Sequence, residues 1–247
     1  MKNHLWIPLF FVLAVLFGFS GLSFAEHFRA GTSEWVPYSM ILNGEVEGVS
    51  VDILKEIGKR TGDTFEIQIL PVKRLRKELL DGQIDLNIAD SPEWATSEEG
   101  ASEFSEPYLF VDEFIYFRND NFVNVSEAKD LFGKSVATVR GYFYAMFGSA
   151  FKKKQVKLEE VTTSPELLKM LNAKRVDAIF LDNLNFRFVT NSMKLRASDY
   201  KQGLRLTHSP LALRTFKDRA KAAMARFSSA IKDIKKDGTI EKILARY

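Results

Sequence analysis

The chain has no cysteine, which excludes a disulfide scaffold and a Cys-ligated zinc or iron–sulfur centre. Histidine is scarce, with 3 residues in 247, and none falls in an HExxH or other ligand spacing, so no metal site is assigned. An excess of one charge is also lacking. Against 35 Lys+Arg stand 32 Asp+Glu, and a net charge of +3 gives no field that implies nucleic-acid binding. There is no P-loop, no GxGxxG run and no GxSxG elbow, which leaves no basis for a nucleotide cofactor or a serine hydrolase. Carboxylates are common, yet no pair has a context that singles it out as acid and base. No catalytic residue and no cofactor is therefore assigned, although proton-transfer chemistry stays open.

What the chain does have is apolar content, 46% of residues, and much of it lies at the start. Lys2 precedes an apolar stretch from Leu5 to Phe17, small residues follow, and Ser23-Phe24-Ala25 has the alternate small residues that a signal peptidase reads. Cleavage is expected after Ala25. The alternative is an uncleaved anchor, since Leu5 to Ala25 is about long enough to span a bilayer, but Gly18, Ser20, Gly21 and Ser23 weigh against it. No cysteine follows the run, so a lipid-anchored form is excluded. The expected product is an exported, nearly neutral periplasmic protein with no stable membrane insertion. Without disulfides its core must be large enough to hold itself together.

The mature segment alternates strands and helices. Residues 27–33 read as a strand that runs into a loop with Trp35, Pro37 and Tyr38, and Asn43-Gly44 is a turn. From Ser50 the spacing becomes helical, with Ile53, Leu54 and Ile57 inward and Gly62 as the stop. Phe65 to Ile69 alternates as a strand, a helix after Pro71 turns Leu75, Leu79 and Leu80 inward, and Ile84 to Ala89 returns to strand. The order recurs as a strand over 134–139, a helix from Gly141 through Lys153, a strand over 156–161, a helix over 165–173 and a strand over 176–181. Each half places an Asp at the start of an apolar strand and another five positions later, Asp85 and Asp90 in one and Asp177 and Asp182 in the other. Apolar extended runs at 112–118 and 204–213 lie between and after these units, and a long helix over 216–236 carries Ala220, Ala223 or Met224, Phe227, Ile231 and Ile234 inward. Gly238 ends it and Thr239 caps a last short helix. The expectation is an α/β fold of two lobes, each a mainly parallel sheet flanked by helices. Lobe I is discontinuous, 26–116 plus 207–247, lobe II is inserted at 117–206, and two hinge strands join them.

Ligands gather beyond the carboxyl ends of strands in such sheets. The residues there include Trp35, Tyr38, Arg74, Asp90, Ser91 and Trp94 in the first lobe and Arg140, Gly141, Tyr142 and Asp182 in the second. The mixture suits a pocket for a small polar molecule. Asp182 ends an apolar strand, where an unpaired carboxylate is costly to bury. Asp90 holds the matching position, but with Ser91-Pro92 after it turn formation is an equally good reading. Arg140-Gly141-Tyr142 is a strand-to-helix turn whose N–H groups could hold an anion.

Several of these segments resemble the periplasmic solute-binding proteins of family 3, the amino-acid type that serves ABC importers. They are Gly48 to Ile57, Leu79 to Leu86, Phe104-Ser105-Glu106-Pro107-Tyr108, Leu131 to Val136 with Gly141, Arg175 to Ala178, and Ile234 to Ile240. The resemblance implies a monomeric, non-enzymatic receptor of two lobes (type II) that closes on a small polar solute, an amino acid or related amine or acid, and presents it to a membrane permease. It also implies that Asp182 holds the ligand amino group. Counting back from Phe104 puts Glu98 where the family's carboxylate-binding arginine stands, and Tyr142 replaces a small hydroxyl residue, so the ligand is left open. On this reading Trp35, Tyr38 and Tyr142 pack on the ligand, and Arg74 or Arg140 holds any negative group. Two alternatives share the architecture, a secreted cyclohexadienyl dehydratase and a ligand-sensing receptor.

Overall fold

The computed structural model describes residues 25–95 and 100–247. Residues 1–24 of the leader expected to end at Ala25, and the Glu98 position, lie outside the described residues. Among those described, no helix is long and apolar enough to cross a membrane.

The first unit is β1 (His27–Thr32), a small hairpin β2 (Met40–Leu42) and β3 (Glu45–Glu47), α1 (Val49–Thr61), β4 (Thr64–Ile69), α2 (Val72–Leu80) and β5 (Leu86–Asp90). Then come β6 (Glu103–Phe104) and the long β7 (Leu109–Arg118). The second unit is β8 (Ser135–Val139), α3 (Gly148–Lys152), β9 (Lys157–Val161), α4 (Ser164–Asn172), β10 (Ala178–Asp182) and α5 (Asn183–Ser192). The chain closes with β11 (Tyr200–Thr215), α6 (Asp218–Lys236) and α7 (Thr239–Leu244).

Strand order across the molecule is β4-β1-β5-β11-β7-β10-β8-β9, with β6 on β11. At one end β1 pairs in parallel with β4 and β5, and at the other β8 pairs in parallel with β9 and β10. The antiparallel ladder of β7 and β11 connects the two groups, running from Tyr200 opposite Arg118 to Leu211 opposite Leu109 with register shifts between Gln202 and Thr207. The last residues of β11 join β5 and β6, while Glu113 to Phe117 of β7 join β10. The result is a two-lobed α/β fold in which one strand pair belongs to both lobes.

Each lobe has its own core. In the first, Ile53, Leu54 and Ile57 of α1 and Ala220, Ala223, Met224, Phe227, Ile231 and Ile234 of α6 cover one face of the sheet. Leu75 and Leu79 of α2 cover the other with Leu70 and Ile84. Leu80, expected to face inward, is exposed. Residues 75 and 79 share a face at the i,i+4 spacing, and the next position turns about 100° away from it. In the second lobe two clusters line opposite faces, one around Phe147, Val136 and Phe180 and one around Leu167, Leu168, Leu171 and Ile179.

The helix expected from Gly141 is another difference. Residues 141–147 are irregular, with turns at 141 and 145–147, Gly141 has φ +90°, and the helix spans only Gly148–Lys152. The Tyr142 and Tyr144 phenols both lie within electrostatic reach of the Glu113 carboxylate. On a helix, side chains two positions apart point nearly oppositely, so the irregular backbone is what lets both face one carboxylate.

The start of α1 fixes the aromatic loop that follows β1. The amides of Val49 and Ser50 donate to the carbonyls of Pro37 and Tyr38, both at 2.9 Å. Gly48 precedes them at φ +134°, and a Cβ there would sit 2.4 Å from the Tyr38 carbonyl oxygen and 2.7 Å from that of Pro37. Both the backbone conformation and the space require glycine. Gly48→Ala is expected to cost about 2 kcal/mol or more, read as a lower midpoint in urea denaturation.

Candidate functional site

The site grows from the end of β10. Asp182 is buried at the strand terminus and also caps α5, its Oδ1 accepting from the Asn185 amide at 2.9 Å. A carboxylate at a helix N-terminus gains from the unpaired amides there. The other donors come from the opposite lobe. Trp35 Nε1 donates to Oδ2 at 2.9 Å and the Tyr38 hydroxyl donates to Oδ1 at 3.0 Å. The loop that carries them is pinned by reciprocal backbone bonds between Trp35 and Ser39, 2.8 and 2.9 Å. The two rings lie 4.1 Å apart, and the edge of Trp94 meets Trp35 at 5.9 Å. Trp35, Tyr38, Trp94 and Asp182, expected as pocket residues, are thus brought together across the two lobes.

A residue that the sequence reading did not single out stands beside them. Glu113 of β7 is directly opposite Asp182 of β10 in the antiparallel register and is likewise buried. Its oxygens accept from the Tyr144 hydroxyl at 3.0 Å and the Thr207 hydroxyl at 3.2 Å. Among the described residues neither carboxylate enters an ion pair. Burial therefore pushes the Asp182 carboxyl up to about 6, against the bonds from Asn185, Trp35 and Tyr38. Burial, followed by the Asp182 charge, pushes Glu113 up to about 7. Burial and these two acids also raise the phenols of Tyr142 and Tyr144, and burial with Asp182 raises those of Tyr38 and Tyr116. The signal for Glu113 was present in the chain, since it shares the inward face of β7 with Ile115 and Phe117, where a carboxylate is out of place.

The remaining expected residues sit elsewhere. Arg74 is exposed on α2, its Nε bonded to Glu78 at 2.6 Å on the same helix. Arg76, two residues along, donates to the Trp94 carbonyl at 3.3 Å. Arg140 and Gly141 are exposed, and the amides of the turn are engaged, Gly141 with the Glu160 carboxylate at 3.4 Å and Tyr142 with the Val139 carbonyl at 3.2 Å. Asp90 is buried in a structural cluster, bonded to Asn87 at 2.9 Å, the Ser91 amide at 2.8 Å and the Arg214 guanidinium at 3.3 Å. Ser91 caps the short turn at Pro92–Trp94 by accepting from the Glu93 amide. Among the described residues no group of three or more His, Cys, Asp or Glu is arranged to hold a metal.

The arrangement joins two lobes through one carboxylate and lines that contact with aromatic rings, which suits a small molecule with a positive group. It also makes stability depend on pH. Both acids bind a proton more tightly folded than unfolded, so stability falls as pH rises from about 4 through about 7. The carboxylates held low by partners, among them Asp63, Asp85, Asp177 and Asp237, act below that window. The ligand-free protein should lose on the order of 2 kcal/mol between pH 5 and pH 8. Glu113→Gln, which keeps one acceptor oxygen and replaces the other by an amide donor that a hydroxyl oxygen can accept, should flatten that slope in denaturation curves at the two pH values.

Comparison with known proteins follows this geometry. The model of the bacterial extracellular solute-binding proteins, family 3, matches residues 28–247. A probable amino-acid-binding protein of Bacillus subtilis (strain 168), YxeM, is 25% identical over 225 residues, which span 87% of this chain and 81% of that protein. The arginine-binding extracellular protein ArtP of the same organism is 22% identical over 231 residues, 88% of this chain and 84% of its own length. Among solved structures, a histidine kinase sensor domain with similarity to periplasmic binding proteins superposes with a TM-score of 0.75 at 21% identity, covering 90% of this chain and 95% of that one. The chain belongs to the bacterial extracellular solute-binding proteins, family 3.

Proposed function

We propose that this protein captures a small amine-bearing solute, an amino acid or related amine, between its lobes outside the cytoplasmic membrane and delivers it to the permease of an ABC importer. The observation that carries this reading is the pair of bonds from Trp35 and Tyr38 of one lobe to Asp182 of the other. A ligand ammonium at Asp182 takes the place that suits a cation best, a buried carboxylate walled by aromatic rings. Membership of a family of binding proteins supports capture without turnover. The same reading keeps the division into 26–116 plus 207–247 and 117–206, with the β7–β11 ladder as hinge, although β7 already pairs with lobe II from Glu113 onward. It also keeps export by a leader cleaved after Ala25, a periplasmic location and a monomeric carrier.

Sensing is a second reading, favoured by the likeness to a histidine kinase sensor domain. The ligand chemistry is the same in both, and a pull-down from membranes separates them by recovering either a permease or a kinase.

Asp182→Asn preserves the shape and most of the hydrogen bonds but removes the charge. Affinity for an amine ligand found by a thermal-shift screen should fall about 100-fold or more, as expected for loss of a buried charge partner. Titration calorimetry reads the change, and an unaltered dissociation constant overturns the assignment.

A further inference from the structure

We infer that Glu113 is a second ligand-contacting carboxylate, which makes the cleft a site for a solute with two positive charges and no carboxylate, such as an aliphatic diamine or an aminoalkylguanidine. This rests on the proposed role of Asp182 as the site of a ligand amine.

Position is the first argument. Glu113 and Asp182 are directly opposed on neighbouring antiparallel strands, which places their side chains on the same face with Cβ atoms about 5 Å apart. Like charges in that position repel. Natural sheets place a cation or a neutral residue there, yet among the described residues no cation pairs with either acid.

The surroundings are the second argument. Glu113 is met by Asp182 from β10, by Tyr144 and Tyr142 from the loop after β8, by Thr207 from β11 and by Tyr38 from the opposite lobe. Its hydrogen-bond donors are neutral hydroxyls, which orient a carboxylate without balancing its charge. The wall that Trp35 and Tyr38 supply belongs to lobe I, so parting of the lobes turns both acids toward the cleft. Tyr142 and Tyr144 stay with lobe II on the face of β7 that carries Glu113, and their rings attract alkylammonium and guanidinium groups.

Charge balance is the third. A zwitterionic amino acid brings a carboxylate into this site and needs a basic side chain to meet it. Arg74 is bonded to Glu78 and exposed, Arg76 donates to the Trp94 carbonyl, Arg140 is exposed, and the buried guanidinium of Arg214 is held by Asp90 and Ser102. Arginine carries one net positive charge, whereas its decarboxylated counterpart agmatine carries two and matches two carboxylates.

Titration calorimetry at pH 8 with arginine, agmatine, putrescine and butylamine tests the inference. The native protein should bind agmatine or putrescine at least about 10-fold more tightly than arginine or butylamine. Glu113→Gln should abolish that preference by weakening the dication at least about 10-fold more than it weakens butylamine. Binding of the preferred dication at pH 7 should release protons, seen as a dependence of the heat on buffer ionisation enthalpy, and this needs no variant should Glu113→Gln fail to fold. Preference for arginine over agmatine, an unchanged preference in Glu113→Gln, or dication binding without proton release overturns the role of Glu113. If Asp182→Asn retains full affinity for every amine, the reading of Asp182 itself fails; if it abolishes binding while Glu113→Gln changes nothing, only the second carboxylate is lost.

Discussion

The β7–β11 ladder is the constraint on which the molecule depends. Two strands carry both sheets, so every relative motion of the lobes has to bend or twist that ladder. Register shifts near Gln202, Arg205 and Thr207 locally weaken regular pairing on the β11 side. Glu113 lies on β7 just where it begins to pair with β10, and Thr207, its partner, lies on β11. The acid opposite Asp182 is therefore built into the ladder that joins the lobes, and on the proposed reading whatever neutralises it acts on the element that would govern closure.

The site depends in turn on ordinary packing far from its chemistry. Trp35 and Tyr38 can reach Asp182 because α1 begins where it does, its first amides gripping the loop and Gly48 allowing close approach. From the other direction, Tyr108 bonds the Ser50 hydroxyl at 2.9 Å and donates to the Ile88 carbonyl at 2.8 Å, which ties the entry to β7 onto α1 and β5. The buried Asp90–Arg214 pair joins β5 to the end of β11. Such pairs contribute little net stability but are costly to break, and here the cost protects the alignment of the strands that form the cleft.

Most of the fold was legible because it rests on periodicity. The stripes of α1 and α6, the alternation in β4 and the Asp-bounded strands all follow from one-dimensional patterns that burial respects. The segment 141–147 was not legible, since apolar and aromatic residues at helical spacing also suit a loop whose side chains converge on a single group. Half of the site was likewise visible: Trp35, Tyr38, Trp94 and Asp182 follow strand ends. Glu113 lies in the middle of a strand, and only the pairing of β7 with β10, a contact 69 positions apart in the chain, sets it against Asp182. Arg74 was misplaced for a related reason. Its position at the first turn of α2 was readable, whereas the Glu78 that holds it one helical turn on is what decides where it points.

The edge contact between Trp35 and Trp94 has a practical side. The chain has three tryptophans, and Trp6 falls in the segment proposed to be removed on export. The exported protein would then carry its entire indole content in the cleft, with one ring nitrogen on the very carboxylate proposed to meet the ligand. Its tryptophan fluorescence would come from these two rings at the contact between the lobes, so opening, closure and ligand exchange could be followed in real time without a label.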